Sequence, residues 1–337
     1  MRDAAPAPAD DLGTLGAEAR RLAGASAWRD VADLLLPHAE RLAERPEIGV
    51  VLVEALVRTG RAREARQRVD ALLPVLQARH DRASLRRGTV LRGAAAFSLG
   101  DLDEARAAFT QALEMARRDG DDALVARTMN NLGAVANIEG DQRGALALYK
   151  LAISAHQRVG DLRGLAECYH NMAISVRDLG QVEDADELER RSAEFARDAG
   201  LSVLVSIARM GRAELALRRG DPSFAEATAR RVAAEFAAAG EPVREAAAHR
   251  LTGIACFQAG RFEEARRFLD SALARARTHG AVLHEAEALR SRAELFAGTG
   301  DHAAALADAR SALGLFGQLR AKDDVAALLR WIDSLPG

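Results

Sequence analysis

The stretch NNLGAVANIEGDQRGALALYKLA, residues 130–152, decides how the chain folds. Gly133 and Gly140 precede Ala145 and Tyr149 at spacings that fit two helices joined by a tight turn. Such a stretch fits either one helical hairpin in a globular enzyme or one unit of a repeat. Self-similarity along the rest of the chain distinguishes the two, and it also decides which functions are open to the protein.

Glycine recurs along the chain with a period of 40 residues. The first series comprises Gly60, Gly100, Gly140, Gly180, Gly220, Gly260 and Gly300, each followed five residues later by Ala. A second series lies half a period away, at positions 120, 160, 200, 240 and 280. Because glycine closes a helix at positive φ without a Cβ penalty, each unit is predicted to be two helices with a turn after each. Asp follows several glycines of the first series and is predicted to cap the next helix, at Asp101, Asp141, Asp221 and Asp301.

These units resemble the tetratricopeptide repeat, in which a small residue, a turn glycine, an Ala, a large apolar residue and a second Ala recur at fixed offsets. Three units fill these places with Gly133, Gly140, Ala145, Tyr149 and Ala152, with Gly93, Gly100, Ala105, Phe109 and Ala112, and with Gly253, Gly260, Ala265, Leu269 and Ala272. The resemblance covers about residues 12–318, seven or eight helix pairs. It implies an all-α fold, a right-handed α-solenoid of about seven antiparallel helix pairs with a C-terminal capping helix.

The repeat pattern departs from the family in two respects. The family's usual period is about 34 residues, and the longer period here looks like the subclass found in kinesin light chains, to which TMNNLG and CYHNMA are similar. The large apolar position is Glu189 in one unit and Ala229 in another, and the latter unit has Pro222 after its turn. The first unit, around Trp28, lies off the 40-residue grid, as a terminal unit can.

Composition divides the chain into three predicted segments. Residues 1–10, rich in Ala, Pro and Asp, are predicted to be a disordered tail. Residues 11–320 are predicted to form the array of about seven repeats. Residues 321–337 are predicted to form one amphipathic helix that caps the last pair, with Trp331 packed in the cap or, alternatively, serving as a binding anchor.

Charge and hydropathy indicate which classes of protein the chain can belong to. Apolar residues make up 49% and aromatic residues only 4%, which favours closely packed helices with small side chains. Charged residues make up 28%, yet the net charge is only −2, which argues against a general nucleic-acid or membrane-surface binder. The N-terminus has no apolar segment typical of a signal peptide, and no run approaches the roughly 20 apolar residues of a membrane span. We therefore expect a cytoplasmic protein in which Cys168 and Cys256 are buried thiols.

Neither a basic cluster nor a catalytic motif points to another function. The arginine-rich segment 58–68 lacks the interleaved aromatic residues that stack on bases, so a solvated turn is favoured over a nucleic-acid patch. Neither Lys150 nor Lys322 follows a glycine, which excludes a Walker A loop. His284 begins a segment HEAEA, but Ala288 replaces the second zinc ligand of a zincin helix. The sequence predicts no catalysis, no cofactor and no metal.

Polar residues on the predicted first helix of each pair form the candidate peptide-binding groove, because the resemblance implies that these helices line a concave surface. Arg127, Asn130 and Asn137 follow at i, i+3 and i+10, on one helix face, with Asn131 at its border. Amide side chains can donate to one backbone group of a peptide and accept from another, and arginine can hold a carboxylate. The remaining candidates are Arg87, Glu167, His170, Asn171, Arg177, Arg250 and Arg290. Alternatively, these side chains bond to neighbouring repeats or are merely solvated.

The sequence therefore predicts a non-enzymatic scaffold or adaptor that binds a protein or a peptide in its concave groove. The alternative is a regulatory sensor that responds to a peptide or small ligand and controls a separate kinase, ATPase or DNA-binding partner. Neither a nucleic acid nor a membrane is expected as a partner.

Overall fold

The computed structural model describes residues 12–25 and 27–335. Within these residues it contains seventeen α-helices, two short 3-10 helices and no β-strand. The all-α prediction is confirmed, and it follows from segments dominated by the strong helix formers Ala, Leu, Arg and Glu. No helix of the described residues is long and apolar enough to cross a membrane. The predicted disordered tail, residues 1–10, lies outside the described residues.

The helices from the fourth to the sixteenth are regular in length, with 17 or 18 residues each. In chain order they are α1 Leu12–Gly24, α2 Trp28–Leu35, α3 Pro46–Arg58, α4 Ala62–Ala78, α5 Arg82–Ser98, α6 Leu102–Asp119, α7 Asp122–Ile138, α8 Gln142–Val159, α9 Leu162–Asp178, α10 Val182–Asp198, α11 Ser202–Arg218, α12 Pro222–Ala239, α13 Pro242–Gln258, α14 Phe262–Thr278, α15 Val282–Gly298, α16 His302–Gln318 and α17 Lys322–Asp333. The two 3-10 helices, Leu36–His38 and Arg41–Ala43, join α2 to α3.

The chain divides into two compact units, residues 1–95 (unit 1) and 96–337 (unit 2). In unit 1, α1 packs on α2 and α3, and α3 packs on α4. The core of this unit is built on fully buried side chains such as Leu35, Ile48 and Leu56. Trp28, in the first helix pair, packs against this core and lies under the guanidinium of Arg58, 5.7 Å from the ring centroid.

In unit 2, helix pairs stack in a row as a solenoid. Each helix from α6 to α17 packs on the next, and α17 packs on α16, where Trp331 contacts the apolar core of the last pairs. The odd-numbered helices α7, α9, α11, α13 and α15, the first helices of their pairs, also pack directly on one another. Among the described residues, neighbouring second helices make at most marginal contact. The row therefore curves with its first helices on the concave side.

The turns carry the left-handed residues that the glycine series predicts. Every glycine of both series has a positive φ, between 61° at Gly280 and 86° at Gly300. The half-period continues at two positions where the sequence has no glycine, His80 with φ of 55° and Arg320 with φ of 51°. The glycine series missed these two turns because neither position is a glycine.

The predicted caps and small-residue columns are confirmed. Each predicted capping Asp accepts a hydrogen bond from the backbone N–H three residues later, at Asp101, Asp141, Asp221 and Asp301. The recurrent alanines, from Ala65 to Ala305, are fully buried. A Cβ built on Gly133 would lie 2.5 Å from Cε1 of Tyr149, so glycine is needed for the two helices of this repeat to approach.

The left-handed turn at His80 leads to a stability prediction. We expect His80→Gly to raise the free energy of unfolding by about 1 kcal/mol, because a side chain with a Cβ is strained in this conformation. Denaturant unfolding followed by circular dichroism measures the change. Gly120→Ala is the control with the opposite sign, since Gly120 has φ of 68° and open space around its Cα. A His80→Gly protein no more stable than the wild type would contradict the strain at this turn.

Candidate functional site

The concave side of unit 2, formed by the odd-numbered helices from α7 to α17, is the candidate site and is called the inner face here. At its α7 end, the inner face carries amide side chains on α7 and α9. Asn171 Nδ2 donates to Asn130 Oδ1 at 3.0 Å, and Ser175 Oγ donates to Asn137 Oδ1 at 2.5 Å. The four asparagines of the whole chain all lie on these two helices. Adjacent first helices are thus joined by hydrogen bonds between side chains.

From α9 to α15 the cross-links are ion pairs. Arg177 on α9 pairs with Glu214 on α11, and Glu214 in turn lies 3.5 Å from Arg250 on α13. Arg250 is only 7% exposed and also reaches Glu287 on α15 at 3.5 Å. Burial alone would raise the pKa of Glu214, but Arg177 and Arg250 outweigh it and hold that pKa at about 2. Glu214 is therefore ionised throughout the physiological pH range.

The last cross-link joins α15 to α17. Arg290 Nη1 lies 2.5 Å from Asp324 Oδ1, and its guanidinium also lies 5.4 Å from the centroid of the Phe316 ring. Every adjacent pair of first helices from α7 to α17 is thus bridged by polar side chains. We call this set the inner ladder, consisting of Asn130, Asn171, Arg177, Glu214, Arg250, Glu287, Arg290 and Asp324.

The inner ladder fixes side chains without sealing them from solvent. Glu214, Glu287 and Arg290 keep 25%, 24% and 29% of their side-chain surface accessible. Paired charges of this kind give little net stability over apolar side chains of similar volume, because the desolvation cost offsets the attraction, although removing one partner alone is destabilising. These pairs hold each side chain in one orientation, and Glu214, Glu287 and Arg290 remain accessible from the concave space. The inner face therefore offers fixed donors and acceptors.

The predicted site residues outside the inner ladder fall into different environments. Arg87 lies in unit 1 and is bound to Glu54. His170 Nδ1 lies 3.0 Å from Glu189, the residue that replaces the large apolar side chain of its repeat. Glu167 is partly exposed, with Arg163 3.7 Å away. Arg127 is exposed and Asn131 half-buried.

Asn131 differs from its repeat equivalent, Asn171. Asn171 bonds to Asn130, 41 residues earlier in the chain. Within the residues that the structure describes, the amide of Asn131 has no hydrogen-bond partner, whereas Asn130, Asn137, Asn171, Arg177, Arg250 and Arg290 all bond to neighbouring repeats. The alternative, in which the candidate side chains bond to neighbouring repeats, therefore applies to these six residues and not to Asn131.

Sequence reasoning missed the acidic members of the inner ladder. Glu214 and Asp324 lie 37 and 34 residues after the arginines they bind, and Glu287 completes the series on α15. A search for opposite charges slightly less than one period apart on first helices would have found them. Glu294, also on α15, makes no hydrogen bond to the described residues, and burial raises its pKa despite the nearby Arg290.

Two clusters outside the inner face carry reactive side chains. Glu226, Cys256 and Glu264 lie close enough to surround a metal ion, but Arg230 and Arg261 occupy both carboxylates. Cys168 and Cys256 are both free and buried, as predicted.

The second cluster contains a serine and a histidine. His249 Nδ1 lies 2.9 Å from Ser271 Oγ at a surface cavity. A catalytic arrangement also needs a group that orients the histidine. Glu245 is 3.9 Å from His249 Nε2 and pairs instead with Arg275 at 2.8 Å.

Comparison with known proteins identifies the type of repeat. Residues 84–158 and 124–198 match the sequence model of the tetratricopeptide repeat family. The chain contains tetratricopeptide repeats. The resemblance inferred from the glycine and alanine columns is thereby confirmed, while the assignment to the kinesin light chain subclass stays a prediction.

Solved structures of tetratricopeptide-repeat solenoids are similar to the whole chain. A Rap protein complexed with Competence and Sporulation Factor has a TM-score of 0.64 at 13% identity, covering 96% of this chain and 97% of that one. NprR in complex with its cognate peptide NprX has a TM-score of 0.62 at 14% identity, covering 97% and 98%. Cut9, in the Cut9–Hcn1 hetero-tetramer, has a TM-score of 0.58 at 14% identity, covering 90% and 52%. Among curated proteins, no sequence matches this one significantly. At these identities the likeness shows the fold alone.

Proposed function

We propose that the inner face binds a peptide, or an extended segment of a partner protein, without catalysis. The observation that carries the proposal is the inner ladder: polar side chains held in one orientation on a concave surface, of which Glu214, Glu287 and Arg290 keep about a quarter of their surface open to solvent. Preformed groups of this kind cost little ordering entropy when a ligand binds. Two similar solenoids support the proposal, because NprR was solved with its cognate peptide and the Rap protein with Competence and Sporulation Factor.

The residues of α7 and α9 are the proposed contacts to a peptide backbone. The amide of Asn131, without a hydrogen-bond partner among the described residues, can donate to a peptide carbonyl and accept from a peptide N–H. Asn171 uses one N–H on Asn130 and keeps its oxygen and its second N–H. The exposed guanidinium of Arg127 can hold a carboxylate in fork geometry. Arg87 is outside this proposed surface, since it belongs to unit 1.

The proposal is tested by selecting peptide ligands and then removing the amides. Peptides would be selected from a random display library against the wild-type chain, and their Kd measured by fluorescence anisotropy. We expect Asn131→Ala/Asn171→Ala to weaken binding about tenfold or more, because each lost hydrogen bond is worth about 1 kcal/mol. Gln157→Ala is the matched control, an amide exposed on the second helix α8.

The single variant Asn131→Ala separates binding from folding. Since Asn131 has no hydrogen-bond partner in the described chain, its replacement leaves the inner ladder intact, and thermal unfolding should be unchanged. We expect it to account for several-fold of the loss in affinity. Selected peptides that bind both variants as tightly as the wild type would place the binding surface elsewhere and overturn the proposal.

The second candidate is a sensor, in which binding at the inner face changes the state of the repeat array. It is favoured by the contacts of α17, whose Asp324 belongs to the inner ladder and whose Asp323 lies against the turn at Gly140, at the other end of unit 2. A change in those contacts on adding a selected peptide, followed by hydrogen exchange, would distinguish a sensor from a constitutive scaffold.

A further inference from the structure

The two ends of unit 2 meet. Arg320, in the turn between α16 and α17, lies 2.7 Å from Asp103 in the first turn of α6, although 217 residues separate them. Leu319 beside it is only 1% exposed. A Cβ built on Gly100 would lie 2.7 Å from Cδ2 of Leu319, so this side chain packs directly against the turn before α6.

A second contact joins the same ends. The carboxylate of Asp323, at the start of α17, lies over the turn after α7, where a Cβ built on Gly140 would be 3.0 Å from its Oδ2. Ile138 on α7 packs against the apolar core of the C-terminal helices. We call these contacts the seam: Gly100, Asp103, Ile138 and Gly140 on one side, and Leu319, Arg320 and Asp323 on the other. The seam closes the row of helix pairs of unit 2 on itself.

The polar contacts of the seam separate easily. The Arg320 and Asp103 side chains are 58% and 65% exposed, and ion pairs in such positions contribute little because water and salt compete for them. The turns before α6 and after α7 each present a glycine, Gly100 and Gly140, so neither turn inserts a side chain into the opposite side of the seam. The cost of opening therefore lies mainly in exposing the apolar side chains of Leu319 and Ile138.

Helix α17 connects the seam to the inner ladder. Asp323 lies at the seam, and the next residue, Asp324, binds Arg290 on α15. Asp324 is 38% exposed and can be solvated after release. After Asp324 is released, the Arg290 guanidinium still lies near the carboxylates of Glu287 and Glu294. The cross-link between α15 and α17 can therefore break without leaving an isolated buried charge.

We propose that α17 is a releasable latch, which holds unit 2 closed at the seam and is itself held by the Arg290–Asp324 ion pair. A ligand carboxylate that took Arg290 on the inner face would free Asp324 and open the seam. That last step rests on the proposed peptide binding, whereas the latch itself goes beyond it and is tested without any ligand.

The first test reverses the charges of the seam. Hydrogen exchange of the full chain, followed by mass spectrometry, reports the amides of residues 99–103, 138–141 and 319–324. We expect Asp103→Arg and Arg320→Asp each to raise exchange there by a factor of about two to five, the range expected for an exposed ion pair. The double variant Asp103→Arg/Arg320→Asp restores the pair and should return exchange to the wild-type rate. Glu114→Arg is the matched control, since it breaks an exposed pair with Arg118 on the same helix α6.

The second test breaks the cross-link at a distance from the seam. We expect Asp324→Asn and Arg290→Gln to raise exchange in 99–103 and 138–141 as the charge reversals do. Using both partners excludes simple fraying of α17, because Arg290→Gln leaves the sequence of α17 intact. Unchanged exchange in these segments in both variants would overturn the coupling, and failure of the double charge reversal to restore exchange would overturn the seam. Since no peptide is added, either failure is distinguishable from failure of the proposed function.

Discussion

Glu214→Gln is expected to lower the free energy of unfolding at pH 7 by about 3 kcal/mol. The ionised carboxylate pairs with both Arg177 and Arg250, and its pKa falls from 4.5 to about 2. Since each tenfold change in proton affinity is worth roughly 1.4 kcal/mol, this depression corresponds to about 3 kcal/mol of stability. Glu214 is three-quarters buried, so solvent screening is limited.

The pH dependence of this loss has a definite sign. A depressed carboxyl pKa gives stability that is fully present above the unfolded pKa of 4.5 and is lost as the pH falls towards the folded pKa of about 2. The difference between wild type and Glu214→Gln should therefore be largest above pH 5 and shrink between pH 4.5 and 2. Urea unfolding at several pH values, followed by circular dichroism, measures this difference.

The control for Glu214 is an exposed ion pair of the same type. Glu183, 84% exposed, lies 3.8 Å from Arg219, and Glu183→Gln should leave stability unchanged. A deficit for Glu214→Gln that is the same at pH 3 and pH 7 would contradict the assignment of the loss to its ionised form.

Tyr149→Ala is expected to cost about 4 kcal/mol of stability, the largest effect of any single substitution considered for this chain. Tyr149 is among the largest fully buried side chains and packs from α8 onto α7 at Gly133. Truncation leaves a cavity between the two helices of one repeat, and rigid neighbours on both sides limit its collapse. Chemical unfolding and hydrogen exchange of α7 and α8 report the loss, since repeats unfold in part through nearest-neighbour contacts.

Exchanging the large and the small residue tests whether Tyr149 and Gly133 are complementary in shape. Gly133→Leu alone should destabilise by about 2 kcal/mol, because its side chain would overlap the Tyr149 ring. Combined with Tyr149→Ala, the leucine fills the cavity, and the double variant should be more stable than the sum of the two losses by more than about 1 kcal/mol. Simple additivity would show that the glycine and the tyrosine are independent.

The repeat itself could be predicted from the sequence because its determinants are local. Gly140 ends one helix, Asp141 caps the next, and Ala145 and Tyr149 follow at fixed offsets, so one short stretch specifies a helix pair. Repetition then specifies the array. The amide side chains of α7 and α9 were found in the same way, since Asn131 and Asn171 occupy equivalent positions.

The tertiary structure decided what lies between repeats. The sequence showed Arg177, Arg250 and Arg290 as candidates, but their partners Glu214, Glu287 and Asp324 became visible only when neighbouring first helices were in register. His80 and Arg320 have a positive φ because the packing of the two helices that each turn joins requires it, although neither residue is a glycine. The contact between Asp103 and Arg320 depends on curvature accumulated over several helix pairs. Local spacing therefore determined each unit, and the summed packing angles between units determined which distant residues meet.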